Sequence, residues 1–176
     1  MLSPQEKTEI DKEIAKVPVR RSAGLKGLMV VQRHRGYIND EALKDVADYI
    51  PMSVTELDGI ATFYNLIYRK PVGRHVIRIC DSVSCFIMGY EGIRQKISEE
   101  LQIEYGQTTA DKCFTLLSAQ CLGCCDKAPA MMINDELFTN LDGEKVVEII
   151  RHYKQKYLNE GNFDATAANP QYQVSQ

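Results

Sequence analysis

The sequence predicts an α+β protein: a helical bundle over residues 1–70, an α/β domain over residues 71–158 and a loose tail over residues 159–176. Three observations carry this prediction. Up to residue 68 apolar residues recur at helical spacing between capping and stop signals. At Pro71-Val72-Gly73 a turn signal interrupts the chain, and the pattern changes behind it to strand, helix, strand, hairpin and helix. From Asn159 the periodicity stops, and the Asn-, Gln-, Ala- and Pro-rich remainder has too few apolar residues to offset its ordering entropy.

The first helix opens on Ser3-Pro4-Gln5-Glu6, an N-cap serine, a proline at the first helical position and a glutamate three residues after the cap. It should end before Pro18. A second helix over residues 22–35 places Leu25, Leu28, Met29 and Gln32 on one stripe. It ends in Arg33-His34-Arg35 before Gly36. A third starts at Asn39 or Asp40, buries Leu43, Val46, Ala47 and Ile50, and stops at Pro51. A fourth opens on the capping box Ser53 to Glu56 and buries Val54, Leu57, Ile60 and Ala61. This half holds no cysteine and reads as a bundle that packs or docks.

Beyond the turn, residues 75–80 are rich in β-branched side chains and read as a strand that ends at Cys80. A helix over residues 90–101 turns Ile93, Ile97 and Leu101 inward, and Gly106 closes it. A second strand at residues 114–117 runs towards Cys121. Residues 130–133 and 137–139 flank Asn134-Asp135 as a hairpin. A last helix from Asp142 faces Val146, Val147, Ile150, Tyr153 and Tyr157 inward.

Composition narrows the function. A net charge of −3 argues against binding duplex nucleic acid, which needs a clustered basic surface. No apolar run approaches the length of a membrane span, and the polar, acidic start is neither a signal nor a transit peptide. A soluble, cytoplasmic protein is expected. There thiols stay reduced, so the six cysteines point to metal binding or catalysis rather than a disulfide frame.

Four of those cysteines form two close pairs. Cys80 and Cys85 stand at C-x4-C spacing; Cys121 and Cys125 stand at C-x3-C around Leu122-Gly123-Cys124. A helix between the two strands makes them parallel and right-handed. Both cysteine loops then leave the same sheet edge, where open α/β sheets hold ligands. Gly123 allows a tight bend there, and Ser82 and Ser84 can offer hydrogen-bond donors to sulfur. Thiolates suit an iron–sulfur cluster or zinc, and spacing alone admits both. Cys121-x-x-Cys124 is also formally a redox CxxC. It follows the second strand, however, whereas the thioredoxin motif follows the first and opens a helix. His34, His75 and His152 have no C-x-H spacing to a cysteine and read as core or surface residues. Arg69, Lys70, Arg74 and Arg78 read as a solvated edge, with charge balance at the cysteines as the alternative.

Taken together, Ala61-Thr62-Phe63-Tyr64, the run from Pro71 to Arg78, Cys80-Asp81-Ser82, Phe114-Thr115-Leu116-Leu117, Cys121-Leu122-Gly123 with Cys125-Asp126, and Pro129 with Met131-Met132-Ile133 resemble one family. It is the thioredoxin-like [2Fe–2S] component of respiratory complex I, known in mitochondria as the 24 kDa subunit and present in the bacterial NADH:quinone oxidoreductase. The resemblance spans residues 1 to about 158. It implies a helical bundle followed by a thioredoxin-like domain, with one [2Fe–2S] cluster on Cys80, Cys85, Cys121 and Cys125. It further implies single-electron exchange with a partner subunit that binds NADH and carries FMN and a [4Fe–4S] cluster. Through that partner the chain would join a peripheral arm on the cytoplasmic face of the inner membrane. Related subunits serve soluble NAD-dependent hydrogenases and formate dehydrogenases, which remain alternatives, as does a four-cysteine zinc interaction module. With no G-x-G-x-x-G or Walker loop, no nucleotide site of its own is expected. Cys124 departs from the family pattern and could compete as a ligand, and Cys113 reads as a small buried hydrophobe.

Overall fold

The computed structural model describes residues 1–159. The tail expected beyond them lies outside the described residues. The chain divides into two compact units, with the division between Pro71 and Val72.

In the first unit, α1 (Pro4–Ile14) begins with the expected capping box. The Ser3 amide donates to Glu6 Oε2 at 2.7 Å, and the Glu6 amide donates to Ser3 Oγ at 3.2 Å. A 3₁₀ turn (Arg20–Ala23) leads into α2 (Gly24–Arg35), followed by α3 (Asp40–Tyr49), capped by Asn39, and α4 (Val54–Phe63), capped by Ser53 and Glu56. Leu28, Val31, Leu43, Val46, Ile50 and Leu57 are the centre of one core. Glu6 is buried beside Arg35, which donates to it at 2.7 and 3.0 Å. Burial pushes its carboxyl up, but the bonds from Arg35 and the Ser3 amide outweigh that and hold it below the usual range.

Two expectations for this half shift. The inward face of α2 is Gly24, Gly27, Leu28, Val31 and Gln32, while Leu25 and Met29 are only half-buried. A Cβ on Gly27 would come within 2.6 Å of Ile50 Cδ1, so the helix packs closely on its glycine side. A hydrophobicity pattern does not register glycine as inward-facing. Gln32 is buried as expected because its amide is satisfied at both ends, donating to Leu66 O and accepting from the Tyr68 amide. Val54, expected inside, is exposed at the first turn of α4.

The second unit carries β1 (His75–Cys80), α5 (Val83–Ile87), α6 (Tyr90–Leu101), β2 (Phe114–Ala119), a 3₁₀ turn (Cys125–Lys127), β3 (Met131–Ile133), β4 (Glu136–Phe138) and α7 (Gly143–Asn159). The sheet order is β2-β1-β3-β4. The β1–β2 pair is parallel, and the other two pairs are antiparallel. This is the expected crossover and hairpin, with α5 added between the first two cysteines. Ile77, Ile79, Phe114, Leu116, Met131 and Ile133 from the sheet pack with Ile97, Val146 and Ile150 from α6 and α7. Val147, expected inward, is half-buried. Asn134 adopts φ 53° at the hairpin turn, and its Oδ1 accepts from the Val76 amide at 2.8 Å.

Arg74 and Arg78 are buried, contrary to the solvated edge expected of them, whereas Lys70 is exposed. Arg78 donates to the Asn134 carbonyl, which ties the turn to β1. Arg69, in the first unit, pairs with Asp40 at 2.7 Å and Asp58 at 3.1 Å. Arg69 and Arg78 therefore meet structural partners that sequence distance conceals.

Two outcomes follow from glycine environment and from a buried histidine. A Cβ at Gly73 would meet backbone atoms of Lys112 and Phe114 at 2.9–3.0 Å, whereas Gly59 in α4 has open space around it. Gly73→Ala should therefore lower urea-unfolding stability by about 1–3 kcal/mol, and Gly59→Ala should raise it by up to about 1 kcal/mol. His75 is fully buried between Phe114, Tyr153 and Tyr157, and burial, with Arg74 and Lys156 nearby, lowers its pKa to about 4. The folded chain keeps this ring neutral where the unfolded chain protonates it, below the ordinary value of 6.5. Stability from this group is full above that value and is lost as pH falls towards 4, by at most about 1.4 kcal/mol per pH unit. Unfolding titrations between pH 7 and pH 4 should show a shallower loss in His75→Phe than in the parent.

Candidate metal centre

Backbone pairing brings the cysteine loops together. Cys80 is the last residue of β1 and lies in register with Ala119, the last residue of β2; Cys121 follows two residues later. The Asp81 amide donates to Ala119 O, and the Cys80 amide donates to Ala130 O, both at 3.1 Å. The end of β1 is thus clamped from both sides. Asp81 and Ser82 then turn the chain into α5, which carries Cys85 back towards the strand end. Ser82 occupies the cap position, and its hydroxyl makes no cap hydrogen bond.

The sulfurs form two couples in different surroundings. Cys80 and Cys85 are 2 % exposed and share an apolar pocket with Ala128 and Ala130, against which Tyr90, Leu122 and Cys124 pack. Burial, reinforced by the Cys80 thiol, pushes the Cys85 pKa up to about 11, although the Ala130 amide works in the opposite direction. Cys121 and Cys125 are exposed, with their sulfurs 3.4 Å apart. The bend between them is made by Gly123 at φ 81°, a left-handed conformation that L side chains disfavour. Its amide donates to Cys121 Sγ at 3.4 Å, and this bond, with Cys125, lowers the Cys121 pKa.

Cys124 is half-buried and packs against the buried couple. Burial raises its pKa first, then the nearby Cys80 and Asp126 charges. The formal CxxC is therefore not a dithiol: the sulfur beside Cys121 belongs to Cys125. Cys113 is fully buried in the sheet core, where burial pushes its thiol up to about 12.

Four thiols are soft donors that suit an iron–sulfur cluster or zinc. A tetrahedral zinc gathers four sulfurs around a single ion at about 2.3 Å. Two couples of soft donors on adjacent loops match a group that takes two thiolates at each of two metals.

The model of the thioredoxin-like [2Fe–2S] ferredoxins matches residues 10–154. The chain belongs to that family. Its relatives include the E subunit of the NADH-quinone oxidoreductase of Escherichia coli K12, 44% identical over 153 residues, which cover 87% of this chain and 92% of that one. The corresponding E subunit from Pseudomonas aeruginosa is 40% identical over the same length and shares. Among solved structures, an NAD⁺-reducing [NiFe]-hydrogenase in its H₂-reduced state superposes with a TM-score of 0.65 at 23% identity. That match covers 82% of this chain but only 24% of the hydrogenase chain, and it speaks for the fold. Family membership makes the [2Fe–2S] cluster the cofactor of this domain.

One feature escaped the reading of the sequence. α5 and its C-cap residue expose Val83, Phe86, Ile87 and Met88, around the position of Cys85. The i, i+3, i+4 spacing of Val83, Phe86 and Ile87 was its available signal. As a check on the sixth thiol, Cys113→Ser should leave cluster absorbance per chain unchanged. It should lower unfolding stability by about 1–3 kcal/mol, because a hydroxyl replaces an apolar contact in a closed core.

Proposed function

We propose that this chain is the [2Fe–2S] electron-transfer subunit of the NADH-oxidising module of NADH:quinone oxidoreductase, with Cys80, Cys85, Cys121 and Cys125 as the cluster ligands. The observation that carries the reading is the pair of sulfur couples at neighbouring strand ends, in a chain 44% identical to a subunit of that enzyme. When bound, the cluster supplies a one-electron store that needs no proton chemistry from the protein.

The chain's own residues prepare the site for added negative charge. The Ala130 and Gly123 amides aim N–H groups at the sulfurs of Cys85 and Cys121. Such donors raise the affinity for an electron, whereas a dry apolar wall lowers it. Tyr90, Leu122 and Ala128 provide that wall on the Cys80–Cys85 side, and water reaches the other couple. The buried half thus combines a donor with an apolar wall, and the exposed half combines a donor with water.

In this reading the electrons come from a partner subunit that binds NADH and carries FMN and a [4Fe–4S] cluster. Electron exchange falls steeply with distance, so the partner must come close to the cysteine loops. The apolar face of α5 supports such an approach: four large side chains are exposed within six residues, on the helix that holds a ligand. The chain would act at the cytoplasmic face of the inner membrane as part of a peripheral arm. Among the described residues no helix is long and apolar enough to cross a membrane.

The test is direct. Purified chain should be reddish-brown, contain iron and acid-labile sulfide in equal amounts, and gain an EPR signal on reduction with dithionite. Cys→Ser at each of positions 80, 85, 121 and 125 should abolish or alter that signal, and Cys124→Ser should keep it. A colourless, zinc-bearing chain would overturn the reading. Ile87→Asp should retain the cluster but weaken co-purification with the flavin subunit at least tenfold.

A further inference from the structure

We propose that, before the cluster is in place, Cys121 and Cys125 form a redox site that takes a low-molecular-weight disulfide as substrate, closes to an intramolecular disulfide and so excludes the cluster. The inference rests on the reading of these two cysteines as ligands and extends it to the state that precedes loading.

Geometry selects this couple. Both sulfurs are exposed and already 3.4 Å apart, within hydrogen-bonding reach of each other. The left-handed Gly123 bend holds the two ends of the loop in that position. Closure to a disulfide distance of about 2.05 Å shortens the present sulfur separation by less than half. The other cysteines lack one or both conditions. Cys80 and Cys85 are beneath an apolar wall, and Cys113 is inside the core. Cys124 is packed against the buried couple.

The chemistry balances as ordinary exchange. The sulfur of one cysteine attacks glutathione disulfide, the glutathione S–S bond breaks, and one glutathione leaves. The second cysteine attacks the mixed disulfide and expels the other glutathione. Two protein thiols are oxidised, one disulfide is reduced to two thiols, and both protons pass to the departing glutathiones. The product has no thiolates at two of the four ligand positions, so half of the cluster site is lost until a thiol reductant reopens it. The buried couple stays reduced throughout, which keeps the lock reversible and local.

Full-length chain freed of iron with a chelator under reducing conditions is exposed to excess glutathione disulfide, then acid-quenched, alkylated and mapped by mass spectrometry. Cluster-loaded chain is treated in parallel. The cluster-free chain should fall from six titratable thiols to four, with the new bond mapped to Cys121–Cys125. The loaded chain should keep its absorbance and show no such bond. Ferrous iron and sulfide added without reductant should then restore less than a tenth of the visible absorbance, and pretreatment with a phosphine reductant should bring it back. Cys124→Ser should behave as the parent. Cys125→Ser should stop at a glutathione adduct on Cys121.

A bond mapped to Cys80, Cys85, Cys113 or Cys124, or no bond at all, overturns the inference while leaving the ligand reading intact. A reduced chain that never loads a cluster overturns the ligand reading instead. A closed Cys121–Cys125 bond with undiminished loading overturns both.

Discussion

The parallel pairing of β1 with β2 is the constraint on which the site depends. Strands that run the same way end on the same side, and the six-residue register sets Cys80 beside Ala119. Every later feature inherits this. Cys121 is within two residues of the paired end, and Cys85 is brought back by a helix too short to carry it elsewhere. The clamp of the Cys80 and Asp81 amides onto Ala130 and Ala119 fixes the strand end itself, so the backbone at Cys80 is held by hydrogen bonds from both sides. A site that must bind one cofactor in one geometry gains from ligands anchored on regular structure.

The site is also asymmetric. One sulfur couple is dry, with Cys85 raised in pKa, and the other is wet, with Cys121 hydrogen-bonded by the amide of a left-handed glycine. Burial disfavours the thiolate, and an N–H donor favours it. The same chain therefore presents one couple shielded from solvent and one open to it. The half-buried Cys124, packed against the Cys80 side, leaves Cys125 as the natural companion of Cys121.

Each unit contains its own apolar core and its own polar fastenings. In the first, Glu6 and Arg35 join the start of α1 to the end of α2, and Gln32 secures the segment that follows α4. In the second, Asn134 and Arg78 fasten the hairpin turn to β1, and Tyr157 donates to Asp111 O from the last helix. Several of these bonds are charge-assisted or doubly satisfied, in buried places where an unpaired group would be costly. The second unit has a closed apolar core of its own, in contrast to small zinc modules that fold only around their metal.

Local signals in the sequence were sufficient for much of this. Capping boxes at Ser3 and Ser53, the glycine after Arg35, the β-branched run into Cys80 and the Asn134-Asp135 turn each act within a few residues, so they are legible without a fold. The strand–helix–strand order was enough to predict that Cys80 and the approach to Cys121 leave the same end of the sheet. Tertiary structure alone decided the rest. Whether Arg78 meets water or the Asn134 carbonyl depends on a turn 56 residues away. Whether Gly27 faces in depends on Ile50 of another helix. That Cys121 is beside Cys125 and not Cys124 depends on one left-handed glycine, and that Cys80 is dry while Cys121 is wet depends on which loop closes over which. The physical reason is common to all of these: hydrogen-bonding and capping preferences are set by near neighbours in sequence, whereas burial and sulfur–sulfur proximity are set by neighbours in space.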